Sequence, residues 1–206
     1  SVKVRIISQN DRICKGKVIT GGMIASNKGV SIDRIINLPS FTEKDIHAFD
    51  IANKLKINHI ALSFTSKSED VVNLRKYFNY KIAVTSKIES RKGLKNLKSI
   101  LSEADNILID RGDLSREIKL EKIPKTQKNI IMQANKHKTP VYVATNLLES
   151  MVTRMEPTRA EVNDVYNTLI DGATGLVLAA ETAIGKYPEK CIEMIIKISK
   201  TVKNVK

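Results

Sequence analysis

The sequence predicts an α/β fold of the TIM (β/α)8-barrel type, incomplete within this chain and preceded by a small β segment. Five short apolar runs, "HIALSF", "KIAVTS", "NILID", "PVYVAT" and "GLVLAA", each lead into a loop and an amphipathic helical stretch. They recur at intervals of about 25–35 residues, the pitch of a barrel repeat. The unusual polar residues gather at the C-terminal ends of these runs, where barrel enzymes build their sites. A doubly wound sheet is the rival, but no Gly-rich phosphate turn follows the first run.

The elements follow in order. "SVKVRIISQNDRICKGKVITGGMI" alternates like short antiparallel strands, with turn signals at Gln9-Asn10-Asp11 and Gly21-Gly22. The strand-like start at Ser1, with no initiator Met, reads as a processed chain or a piece of a longer one. From Asn37 the strand–helix rhythm begins. The runs are apolar on both faces, as expected of parallel strands covered on both sides. Ser66 with Glu69, and Thr158 with Glu161, read as capping boxes opening two helices, and Gly172 as the stop of the second. The last helix enters at Pro188 and aligns Cys191, Met194, Ile195, Ile198 and Val202 on one face. Five strands do not close a barrel, so either strands are missing from this chain or another chain supplies them.

Composition narrows the function. With 206 residues and 42% hydrophobic content the chain can build one ordinary domain and a small appendage. The net charge of +13 invites a nucleic-acid reading, but the lysines are scattered and aromatics are only 4%, so stacking platforms are scarce. No run suits a membrane span and no secretory signal is present. Nucleic acid and membrane are therefore not expected as partners. Cys14 and Cys191 lie far apart without a CxxC or a His cluster, which argues against a disulfide framework or zinc site and for a reducing, cytoplasmic setting, an organelle remaining open.

Ser63 ends the first run, Lys87 and Glu89 the second, Asp110 to Asp113 the third, Thr145 the fourth, and Glu181 with Thr182 the fifth. Lys87 and Glu89 are two apart, so in an extended segment they point to the same side. Asp113 on the neighbouring strand can meet Glu89. Two carboxylates with open positions suit Mg²⁺, and Lys87 would offset negative charge on a phosphoryl group or an enolate. Gly112 lets a ligand approach the backbone closely, and the N–H groups after it can grip a carboxylate. A plainer reading stays open: Lys87 and Glu89 as a structural ion pair, Asp113 as a helix cap. Arg111 reads as holding the rim together, and His47, His59 and His137 as structural.

"AVTSKIESRKGL", "ILIDRGDLSREI", "PVYVATNLLESM", "PTRAEVNDVYNTLIDGA" and "AAETAIGKYP", in this order and spacing, resemble pyruvate kinase. "NKGVSIDRIINLPSFTEKDI" resembles the stretch where that family's chain re-enters its barrel from a small β lid domain. The resemblance implies that residues 1–27 are the tail of the lid and residues 28–206 are strands four to eight of the catalytic barrel. Lys87 would then stabilise phosphoryl transfer and the enolate. Glu89 and Asp113 would hold Mg²⁺ or Mn²⁺, the Gly112 and Asp113 amides the substrate carboxylate, and Thr145 would lie beside the enol carbon. The catalytic residues implied are Lys87 and Thr145, and the substrate-binding residues Lys87, Gly112, Asp113 and Thr145. The implied reaction takes phosphoenolpyruvate and ADP to pyruvate and ATP, with K⁺ as a further cation. Departures are Asp110 where the family has a small residue, Ser115 and Ala180 for glycines, and Ser66 for an arginine. Strands one to three, most of the lid and the allosteric domain are not within this sequence. A metal-dependent pyruvate or enolate lyase or aldolase, and a non-catalytic pyruvate kinase-like partner, are the alternatives. A homo-oligomer, or association with a chain supplying the missing strands, is expected.

Overall fold

The computed structural model of the protein describes residues 2–26, 30, 32–33 and 39–203. The chain divides into two compact units, Ser1–Asn37 and Leu38–Lys206. The expected boundary at residues 27 and 28, and much of the re-entry stretch that begins there, lie outside the described residues.

In the first unit β1 (Lys3–Gln9) pairs antiparallel with β2 (Cys14–Thr20), with Val4 opposite Val18 and Arg5 opposite Lys17. The turn forms where Asn10 was expected to start it. Its Oδ1 accepts from the Ile13 amide at 2.8 Å and the Arg12 amide at 3.1 Å, a side-chain mimic of a backbone turn.

The second unit is built on one parallel sheet. Its strands are β3 (His59–Leu62), β4 (Ala83–Ile88), β5 (Asn106–Asp110), β6 (Val141–Ala144) and β7 (Gly175–Val177), adjacent in that same order. A doubly wound sheet reverses its strand order at a switch point, and among the described residues this one does not, so the reading of an α/β fold with a parallel sheet holds. Among the described residues β3 and β7 are each paired on one side only, and the sheet is open.

The expectation of two covered faces is corrected. Along β4, Val84, Ser86 and Ile88 are buried while Ala83, Thr85 and Lys87 are half-buried; along β5, Ile107 and Ile109 are buried while Asn106, Leu108 and Asp110 are half-buried. Strand geometry has period two, so one face meets the helices and the other stays partly open. The covered face packs against α4 (Leu97–Glu103) and α6 (Ile123–Lys136) through Ile100, Leu101, Ile130 and Ile131.

The helices also include α1 (Glu43–Lys54), α3 (Arg91–Lys95) and α8 (Ala180–Ala183), and local signals place most helix ends. Thr158 and Glu161 form the expected box at the start of α7 (Arg159–Ile170), and Gly172 follows its end at φ +102°, a conformation glycine adopts without a Cβ penalty. Cys191 and Ile198 of α9 (Pro188–Lys203) are buried against Val165 of α7, and Val202 is buried too. The box at Ser66 and Glu69 is corrected by one residue. Helix α2 spans Ser68–Arg75, and Asp70 reaches back to the amides of Ser66 at 2.9 Å and Lys67 at 3.1 Å. The Ser40 hydroxyl donates to the other oxygen, Asp70 Oδ1, at 2.6 Å, so the buried Asp70 carboxylate is held on both oxygens while Glu69 stays exposed.

Candidate active site

The half-open face of the sheet ends in a cluster of charge. Lys87 is the last residue of β4 on that face, and Glu89 follows two residues later. Their side chains meet, with Lys87 Nζ 2.7 Å from Glu89 Oε1 and 3.5 Å from Asp110 Oδ2. Register puts Ile109 beside Val143 and Asp110 beside Ala144, so the ends of β5 and β6 reach the rim together.

Glu89 has no exposed side-chain surface. Its carboxylate accepts from the backbone N–H of Phe64, just beyond β3, where φ is +52°. The other oxygen, Oε1, is met by the Lys87 ammonium at 2.7 Å and by no backbone amide or hydroxyl among the described residues. Burial pushes the Glu89 carboxyl above its ordinary value, and Lys87 and the Phe64 amide offset only part of this. Burial also works against the Lys87 ammonium, but Glu89 and then Asp110 outweigh it and hold its pKa above the usual lysine range. Lys87 is thus a fixed positive charge and a poor proton acceptor at neutral pH.

At the end of β5 a short helix, α5 (Arg111–Glu117), starts immediately. Asp110 is its cap, with Oδ1 accepting from the Asp113 amide at 3.3 Å. Asp113 lies in the first turn, 2.9 Å from Arg116. One ligand atom each from Glu89, Asp110 and Asp113 falls within 4.8 Å of the others, a spacing that suits one cation. The buried Glu89 oxygen, met by Lys87 alone, keeps lone-pair capacity that a cation would fill, and hard carboxylate oxygens suit Mg²⁺ or Mn²⁺.

Thr145 closes the cluster. It stands at φ +71° and Asn146 at φ +53°, sparsely populated values for a β-branched residue above all. Arg111 holds this turn. Its Nε and Nη2 donate to the Thr145 carbonyl at 3.0 and 2.6 Å, Nη2 also to the Asn146 carbonyl at 3.0 Å, and Nη1 pairs with Asp164 at 2.6 Å. The rim-holding role read for Arg111 is what the structure shows. The Gly112 amide donates to Thr145 Oγ1 at 2.8 Å, and the hydroxyl itself donates to the Ala144 carbonyl at 2.6 Å. A Cβ on Gly112 would lie 3.3 Å from Asp110 Oδ1 and 3.5 Å from Thr145 Oγ1, so the glycine permits this close approach. Both amides expected to grip a carboxylate are therefore engaged, Gly112 with Thr145 and Asp113 with Asp110.

Lys87, Glu89, Gly112, Asp113 and Thr145 are thus brought to one rim. Glu181 is not part of it: fully buried, it accepts from the amides of Leu148 at 3.1 Å and Ala179 at 2.8 Å and ties the segments after β6 and β7 together. Ser63 and Thr182 are exposed, as are all three histidines, none of which joins the cluster. The Phe64 amide and Asp164 went unread in the sequence, since each lies more than twenty residues from its partner.

A family model described as "Pyruvate kinase, barrel domain" matches residues 1–192. The chain is 40% identical over 203 residues to a pyruvate kinase of Methanocaldococcus jannaschii, covering 97% of this chain and 45% of that protein. Against a pyruvate kinase of Thermotoga maritima it is 38% identical, covering 97% and 44%, and against one of Clostridium perfringens 37%, covering 96% and 42%. The chain therefore spans less than half the length of these relatives.

Proposed function

This chain belongs to the pyruvate kinase family, and we propose that it carries the metal- and enolate-binding side of a site that transfers a phosphoryl group from phosphoenolpyruvate to ADP, giving pyruvate and ATP. The observation that carries the proposal is the buried Glu89 carboxylate, whose Oε1 is met only by the Lys87 ammonium at 2.7 Å and which offers an oxygen within cation reach of Asp113. In this reading Glu89 and Asp113 hold Mg²⁺ or Mn²⁺. When bound, the cation polarises the phosphoryl and enolate oxygens. K⁺ as a second cation rests on family membership alone.

Lys87 supplies a permanent positive charge where the transferred phosphoryl and the enolate oxygen develop negative charge. A substrate carboxylate takes the Gly112 and Asp113 amides by exchanging with Thr145 Oγ1 and Asp110 Oδ1, which now occupy them. The released Thr145 hydroxyl then lies beside the enol carbon. We assign residues 1–27 to the tail of a lid domain and 28–206 to strands four to eight of the barrel, in a cytoplasmic setting. The one-sided edges of β3 and β7 support association, as a homo-oligomer or with a chain supplying further strands.

Lys87→Ala tests the central role. Assayed in a chain carrying a complete barrel, it should lower kcat by about 10²–10³ while KM changes little, because the charge is needed mainly in the transition state. Equal kcat in variant and parent would remove Lys87 from the chemistry. Dependence of pyruvate formation on ADP separates the kinase from a lyase or aldolase, and absence of Mn²⁺ and oxalate binding by a folded protein would identify a non-catalytic partner.

A further inference from the structure

Two carboxylates suffice for the metal site just proposed, yet three converge. We propose that Asp110 is a third carboxylate ligand, so that the divalent cation is held by Glu89, Asp110 and Asp113 before any substrate arrives. This inference rests on the metal-site reading above and adds a residue to it.

The two oxygens of Asp110 do different work. Oδ1 takes the Asp113 amide at 3.3 Å and lies 3.4 Å from the Thr145 hydroxyl. Oδ2 faces Lys87 Nζ at 3.5 Å, well beyond the 2.7–2.9 Å of a direct charge-assisted bond. It therefore keeps lone pairs for a cation without giving up the helix cap. Glu89, its Oε1 buried and met only by Lys87 at 2.7 Å, offers a carboxylate oxygen within 4.8 Å of one each from Asp110 and Asp113.

Charge balance points the same way. Glu89 and Asp113 are matched by two cations, Lys87 at 2.7 Å from the first and Arg116 at 2.9 Å from the second. Asp110 is the carboxylate in excess, and its side chain is only 13% exposed. Capping alone does not call for that charge, since asparagine caps a helix as well as aspartate. A cation does. Three carboxylates on a six-coordinate ion leave about three positions for water or substrate oxygens, where two would leave about four.

The discriminating variant is Asp110→Asn, which keeps the size and the cap acceptor but removes the charge. Mn²⁺ is titrated without substrate, following the free-ion signal by electron paramagnetic resonance, and proton relaxation counts the waters on the bound ion. Asp110→Asn should weaken Mn²⁺ by about 10- to 100-fold, the loss typical even for groups supporting a metal ligand, and add one bound water in what remains. The thermal midpoint of the metal-free protein should not fall. Glu89→Gln, read alongside, should abolish binding. If Asp110→Asn binds Mn²⁺ as tightly as the parent while Glu89→Gln does not bind, the third ligand is refuted and the two-ligand site stands. If Glu89→Gln still binds normally, the metal-site reading fails and this inference with it. Asp110→Ser, a shorter capping residue, is measured the same way in case the amide variant misfolds.

Discussion

Replacing Arg111 by lysine keeps the charge and removes the fork, and should loosen the turn that carries Thr145. The guanidinium makes three hydrogen bonds to the Thr145 and Asn146 carbonyls, at 2.6 to 3.0 Å, and an ion pair with Asp164 at 2.6 Å. Its side chain is 11% exposed, so water replaces little of what is lost. An ammonium on a flexible stem can keep the Asp164 pair or one carbonyl, not the planar set. A single bond from a charged donor contributes about 1.5–3 kcal/mol, and bonds sharing one guanidinium do not add, so with one contact regained a net loss of about 2–4 kcal/mol is expected. The turn it holds also stores strain, with Thr145 and Asn146 both at positive φ. For a domain of this size the loss corresponds to a fall in Tm of about 4–16 °C. Urea unfolding of parent and Arg111→Lys measures it, and amide hydrogen exchange at Gly112, whose N–H is bonded to Thr145 Oγ1, should accelerate. A variant within about 0.5 kcal/mol of the parent, with Gly112 exchange unchanged, would show that the turn holds itself and that the clamp argument is wrong.

Three further outcomes are expected. Asp70→Ala should destabilise by about 2–4 kcal/mol in urea, since it strips a buried acceptor from the Ser66 and Lys67 amides and the Ser40 hydroxyl; a loss under about 0.5 kcal/mol would mean water substitutes freely there. Burial opposes the ionised forms of Asp70, Asp105 and Glu161, but hydrogen bonds outweigh it (from Ser40 and Ser66, from the Val84 amide and Arg75, and from Ser150 and Thr158), so all three pKa values lie below their ordinary ones. In that window the unfolded chain binds more protons, so their stabilisation is full above about pH 4–4.5 and is lost as pH falls through the folded values. Urea midpoints that stay level from pH 6 down to pH 3 would contradict this. Finally, the one-sided strands β3 and β7 should make a protein of residues 1–206 self-associate or capture a segment bearing complementary strands, and sedimentation of a dilute, cooperatively unfolding monomer would overturn the open-edge argument.

Much of the site was legible because its residues are related by strand and helix periods. Lys87 and Glu89 share a side because they are two apart on an extended segment, and they meet at 2.7 Å. The knot at Asp110 to Asp113 marked a strand end becoming a helix, which is where β5 passes into α5. What the pattern missed was the division of labour within that knot. The cap is Asp110 and not Asp113, and both expected anion-gripping amides are spoken for by Asp110 and Thr145.

The sequence by itself determined the strand–helix alternation, the hairpin of the first unit, the box at Thr158 and Glu161, and the stop at Gly172. All of these follow from contacts within about four residues or from the two- and 3.6-residue periods. Only the tertiary structure decided which face of the sheet is covered, that Ser40 bonds Asp70 at the start of α2, and that the Phe64 amide takes one oxygen of Glu89 and leaves the other to Lys87. It alone brought Arg111 across to Thr145 and Asp164. The physical reason is that such pairings depend on strand register and on where each crossover sets the chain down, and residues separated by tens of positions leave no periodic trace of meeting.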